Sequence, residues 1–81
     1  GHVNNVAYIS WFTGYLPKSV TEGCRCSRLD IQYMAECVEG DRIFMAWNSE
    51  KREKGTVMFQ TLYKAEGKKF IPISAAISEW L

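Results

Sequence analysis

The chain has 81 residues, beginning at Gly1, with 47% hydrophobic, 14% aromatic and 23% charged residues and a net charge of +1. This length holds one small domain with a marginal core, and the composition is globular rather than disordered. The near-neutral charge excludes a strong nucleic-acid footprint, and no apolar run reaches the roughly 18–20 residues of a membrane span. No basic segment followed by an apolar stretch marks a signal peptide.

The first expected element is a helix from about Asn4 to Leu16. Val6, Ala7, Tyr8, Ile9, Trp11, Phe12, Tyr15 and Leu16 cover nearly its whole circumference, which predicts burial on most sides. Asn4 or Asn5 can cap its start, and Pro17 stops it. Lys18 to Gly23 reads as a connection with room for a further helical turn. The period then changes to two. Leu29, Ile31, Tyr33 and Ala35 alternate with Asp30, Gln32, Met34 and Glu36, a half-buried strand ending at Glu36 and Cys37. Glu39-Gly40-Asp41 is a turn, and Arg42 to Ser49 a second strand. Glu50 to Gly55 forms a charged hairpin tip, and Thr56 to Lys64 a third strand. After the turn at Glu66-Gly67-Lys68, a fourth strand runs from Phe70 to about Trp80, with Pro72 demanding an edge or a bulge. Short turns imply antiparallel neighbours. The expected fold is α+β: a sheet curled around one buried helix, with another body covering the helix's remaining side.

Three cysteines, Cys24, Cys26 and Cys37, make no disulfide framework and read as reduced thiols of a cytoplasmic protein. Together with His2 they would make a Cys3His set. Cys24-x-Cys26 lacks the usual spacer of about two to four residues, so no metal is expected.

His2 is the only histidine, placed just before the helix beside Asn4 and Asn5. Backbone N–H groups at a helix start favour negative charge and can hold a developing oxyanion. His2 with two carboxamides could polarise a carbonyl; the plainer reading is capping asparagines and an incidental histidine. Glu36 could be a general base that activates water. Cys37 could be a nucleophile if His2 lowers its pKa, or a buried small apolar residue. By period two, Glu36 and Cys37 point to opposite faces unless a bulge intervenes.

Gly1-His2-Val3-Asn4-Asn5-Val6-Ala7-Tyr8-Ile9-Ser10-Trp11 resembles the H-V-N-N-x-x-Y-x-x-W segment of hot-dog-fold acyl-acyl carrier protein thioesterases. Tyr33-Met34-Ala35-Glu36-Cys37 is similar to that family's downstream Y-x-x-E-C segment. The resemblance implies hydrolysis of a fatty acyl thioester to free fatty acid, the chain-terminating step of fatty acid biosynthesis, without a cofactor. The alternatives are an acyl-CoA thioesterase of the broader hot-dog group and a non-catalytic acyl-binding or dimerising module. By carry-over His2, Glu36 and Cys37 match the family's catalytic positions, and Val3, Asn4 and Asn5 would receive the thioester carbonyl. Family members join two hot-dog units in one chain, so residues 1–81 would be one partial unit, the C-terminal catalytic one. A second hot-dog unit, within the chain or in a dimer, is then an expected partner. An Asp and an Asn precede the family histidine, as does a first strand, and neither lies in this sequence. The chain is therefore expected to be cropped at its start and inactive alone. Acidic carrier protein would meet rim cations such as Lys18, Arg25 or Arg28.

Overall fold

The computed structural model describes residues 4–81. Two helices, α1 (Asn5–Gly14) and α2 (Lys18–Thr21), precede four strands: β1 (Cys26–Tyr33), β2 (Ile43–Lys51), β3 (Thr56–Glu66) and β4 (Lys69–Trp80). The α+β expectation holds, with each strand close to its expected place.

Helix α1 starts where a capping residue permits. Asn4 has extended backbone, and its side-chain oxygen accepts from Ala7 N–H at 3.2 Å. The helix closes two residues before the expected Leu16, with Tyr15 N–H donating to the Trp11 carbonyl at 3.2 Å. Pro17 then caps the single turn of α2.

The helix is not buried on most sides. Tyr8 and Phe12 face the sheet, whereas Val6 is 68% exposed and Ile9 is also open. A single four-stranded sheet can cover only one stripe of a helix, so the opposite apolar stripe has no cover among the described residues.

The sheet is antiparallel throughout, in the order β1-β4-β3-β2. The neighbour expectation holds for β2–β3 and β3–β4, which are joined by tight hairpins. It fails for β1 and β2, which lie at opposite edges. Residues 34–42 therefore cross the end of the sheet, a span of three strand spacings of about 4.8 Å each. The crossing ends in the expected turn, where Val38 N–H donates to Asp41 Oδ2 at 2.8 Å.

Pro72 sits at a bulge. The β3–β4 register slips there, so that Leu62 faces Ser74 and Tyr63 faces Pro72, leaving Ile73 between them. Ile73 is fully buried beside Tyr8, Phe12, Cys37, Leu62 and Ala76. A second cluster joins Leu16, Met58 and Trp80.

Beneath the helix lies a buried polar chain. Trp80 Nε1 donates to Ser78 Oγ at 2.9 Å, Ser78 Oγ donates to Gln60 Oε1, and Gln60 Nε2 donates to the Phe12 carbonyl at 2.6 Å. The last carbonyls of a helix have no partner of their own, and Gln60 supplies one from the sheet. Among the described residues, no buried side-chain nitrogen or oxygen lacks a partner.

Candidate active site

The crossover decides the site. Because β1 and β2 occupy opposite edges, the segment after β1 must pass the N-terminal end of α1. There Asn5, Tyr8, Tyr33, Met34, Ala35, Glu36 and Cys37 line an open cleft of about 390 Å³. On the other flank of the helix start, Asn4, Ala7, Trp11 and the turn at residues 38–41 line a hollow of about 350 Å³.

Glu36 and Cys37 lie beyond the end of β1, which stops at Tyr33, and not on the strand as expected. The physical reason is the bulge. The β1–β4 ladder ends at Tyr33 opposite Ser74, and both Met34 N–H and Ala35 N–H converge on the Ile73 carbonyl, at 2.9 and 3.1 Å. The next residue of β4 is Pro72, which offers no N–H. Glu36 and Cys37 still diverge, with Glu36 exposed at the cleft and Cys37 only 2% exposed. Both nevertheless border the same cleft.

Cys37 belongs to the main core, and its thiol shares a 3.1 Å hydrogen bond with the Tyr8 hydroxyl. Burial, and then the bonded Cys37 thiol, push the Tyr8 hydroxyl from its ordinary 10.0 up to about 12. Tyr8 is held by edge-on ring contacts to Trp11 and Tyr33, with centroids at 5.3 and 5.1 Å. The periodicity counted Tyr8 as one more apolar helix residue and missed it as the tie between helix and crossover. Its signal was faint: a tyrosine on the buried stripe needs a partner for its hydroxyl.

The raised Tyr8 value has a sign. The folded state holds this proton more tightly than the unfolded chain, so its stabilisation is complete below pH 10 and is lost as pH rises through about 12. Urea unfolding of the intact protein should therefore weaken less steeply between pH 10 and pH 12 in Tyr8→Phe than in the parent. Lysines titrate there in both, so identical slopes would contradict the assignment.

Of the other expected residues, Asn5 lines the cleft and Asn4 caps the helix. His2 and Val3 lie outside the described residues. Lys18, Arg25 and Arg28 are exposed, but they are not on the rim. Arg25 precedes β1, Arg28 lies near its start, and the cleft lies past its other end. Arg28 is also paired with Asp30 at 2.7 Å. Arg42, Lys64, Lys68 and Lys69 are the cations at the cleft end of the sheet, interleaved with Glu39, Asp41 and Glu66.

Cys24 is exposed, and Cys26 is half-buried beside Trp80, where burial raises its pKa. Among the described residues, no group of three or more His, Cys, Asp or Glu side chains is placed to hold a metal ion. Among them, too, no helix is long and apolar enough to cross a membrane.

A larger groove, about 650 Å³, runs along the outer face of the sheet past Phe59, Thr61, Ala75 and Ile77. Its carboxylate, Asp30, is the one paired with Arg28, and no helix terminus opens onto it. The smaller cleft joins a carboxylate to a helix N-terminus and is the better chemical candidate.

An antiparallel sheet packed on a helix, with a glutamate-bearing cleft at the helix start, defines an α+β domain of the hot-dog type. The chain belongs to the acyl-ACP thioesterase C-terminal domain family, whose profile matches residues 1–80. Its structure is similar to that of the 12:0-ACP thioesterase from Umbellularia californica, with a TM-score of 0.74 and 27% sequence identity. The match covers 99% of this chain and 29% of that one, so the chain spans less than a third of the relative's length. No curated protein matches the chain.

Proposed function

We propose that the protein containing this chain hydrolyses fatty acyl-acyl carrier protein thioesters, releasing a fatty acid and the carrier's thiol. The observation that carries this reading is Glu36 at a cleft opening on the N-terminus of α1, in a chain of the acyl-ACP thioesterase family. Water adds to the thioester carbonyl carbon while Glu36 takes its proton. The carbonyl oxygen becomes an oxyanion beside the helix start, at Val3 to Asn5, and the tetrahedral intermediate collapses by expelling the sulfur, to which Glu36 returns the proton. Asn4 uses its carboxamide oxygen in the cap, which makes Asn5 the better-placed asparagine for substrate. His2 polarises or orients the carbonyl. Cys37 is support rather than nucleophile, because its side chain is buried in the core and its thiol is bonded to the Tyr8 hydroxyl.

Residues 1–81 form one unit of a double hot-dog protein in this reading. The second unit covers the apolar stripe of α1 at Val6 and Ile9, and the acyl chain lies between the two. Three free cysteines suit a reducing, cytoplasmic compartment.

Turnover by the complete protein tests the substrate. An acyl chain on carrier protein should give kcat/KM at least about tenfold above the same chain on CoA, worth ~1.4 kcal/mol of transition-state binding. Equal or better CoA turnover would favour the broader acyl-CoA thioesterases. Acyl binding without hydrolysis would mark a non-catalytic module.

A further inference from the structure

We propose that Lys64 is a positioning residue for the reaction: its ammonium clamps the Glu36–Cys37 peptide and so aims Glu36 at the cleft. This rests on the reading of Glu36 as the base. Lys64 Nζ donates to the Glu36 carbonyl oxygen at 2.9 Å. Its side chain is only 19% exposed. It continues the core-facing alternation of Met58, Gln60 and Leu62, where an apolar residue would be expected.

The clamp matters because of where regular structure stops. The β1–β4 ladder ends at Tyr33, and the two following N–H groups are both spent on the Ile73 carbonyl. Glu36 lies past the end of β1. Its peptide is fixed on one side by the Lys64 ammonium and on the other by the Cys37 side chain, buried and bonded to Tyr8. Beyond it, the bond from Val38 N–H to Asp41 anchors the next turn. A charge-assisted bond to a carbonyl is stronger than a neutral one, so the ammonium contributes what a neutral side chain cannot. The further contact of Lys64 with Glu66, at 3.8 Å and largely in solvent, adds little.

The complete protein supplies the test, with Lys64→Met, Lys64→Arg and Glu36→Gln compared on acyl-carrier protein. Misplacing a catalytic group by about 1 Å can cost on the order of a hundredfold. Lys64→Met should lower kcat by about tenfold or more, with KM within about twofold of the parent and the protein still folded at the assay temperature. Lys64→Arg, which keeps a charged donor, should recover most of that loss. In the Glu36→Gln background, Lys64→Met should cost nothing further, since no base remains to be aimed. A Lys64→Met kcat within twofold of the parent would overturn the proposal, as would equal losses in Met and Arg variants accompanied by matching losses in melting temperature. An additive loss in the double variant would also overturn it. Full activity in Glu36→Gln alone would instead remove Glu36 as the base, and this proposal with it.

Discussion

Glu36→Gln in the complete protein is expected to reduce kcat on acyl-carrier protein by about 10²–10⁴-fold, the usual contribution of a positioned general base. Gln keeps the shape of Glu and its carbonyl acceptor, but it cannot take a proton from water. Glu36 is exposed and outside every strand, so the substitution removes no core contact and no ladder bond. Its main effect should therefore fall on turnover. Steady-state release of free thiol measures it. Cys37→Ala is the informative companion. A supporting thiol predicts a kcat within about tenfold of the parent and a small stability loss, because a small side chain and one hydrogen bond to Tyr8 are removed. A nucleophilic thiol predicts loss of turnover with Glu36 intact. Undiminished hydrolysis in Glu36→Gln would sink the proposed mechanism.

Gly55→Ala should be severely damaging to stability. Gly55 closes the β2–β3 hairpin with φ +88°, a left-handed conformation that costs an alanine about 1–2 kcal/mol. The added methyl would also strike the Trp80 carbonyl and come within 2.8 Å of the Leu81 side chain. That carbonyl cannot step aside cheaply. Trp80 is paired with Thr56 on one side and Cys26 on the other, and Arg25 and Leu81 exchange N–H to C=O bonds of 2.9 and 3.0 Å. Relief would have to break the ends of three strands at once. The expected loss is about 4 kcal/mol of unfolding free energy, read from urea denaturation of the intact protein. Gly14→Ala is the control. Gly14 ends α1 with nothing within 4 Å of the added methyl, and no left-handed backbone opposes it. It should be neutral or stabilising by up to about 1 kcal/mol. Similar behaviour of the two variants would contradict the packing argument.

Much of the local structure was legible in the sequence because its causes are local. Asn4 starts the helix by accepting the Ala7 N–H, and Pro17 stands just beyond its end. Period-two alternation marked the strands, and charge and glycine marked their hairpins. Pro72, through its missing N–H, announced an edge or a bulge, and the structure has the bulge. The motif resemblance identified the right family, since it rests on residue types at intervals that need no coordinates.

The strand order was not legible. A short link between β1 and β2 suggested neighbours, yet β4, farthest along the chain, takes the place beside β1. Pairing between distant strands depends on which edges and apolar faces fit once the chain has collapsed. That one placement set the link after β1 against the start of α1 and joined Cys37 to Tyr8. Gln60 and Lys64 escaped notice because each looks like an ordinary polar residue in an alternating strand. Their partners, the carbonyls of Phe12 and Glu36, lie far off in sequence.

The sequence by itself thus determined one small α+β domain, its elements and the family-type residues at its helix start and downstream segment. Hydrophobic period, capping and turn chemistry act within a few residues and can be read one stretch at a time. Tertiary structure alone decided that these stretches meet: with β1 and β2 on opposite edges, the link between them has to pass the start of α1, carrying Glu36 to the helix end that favours negative charge.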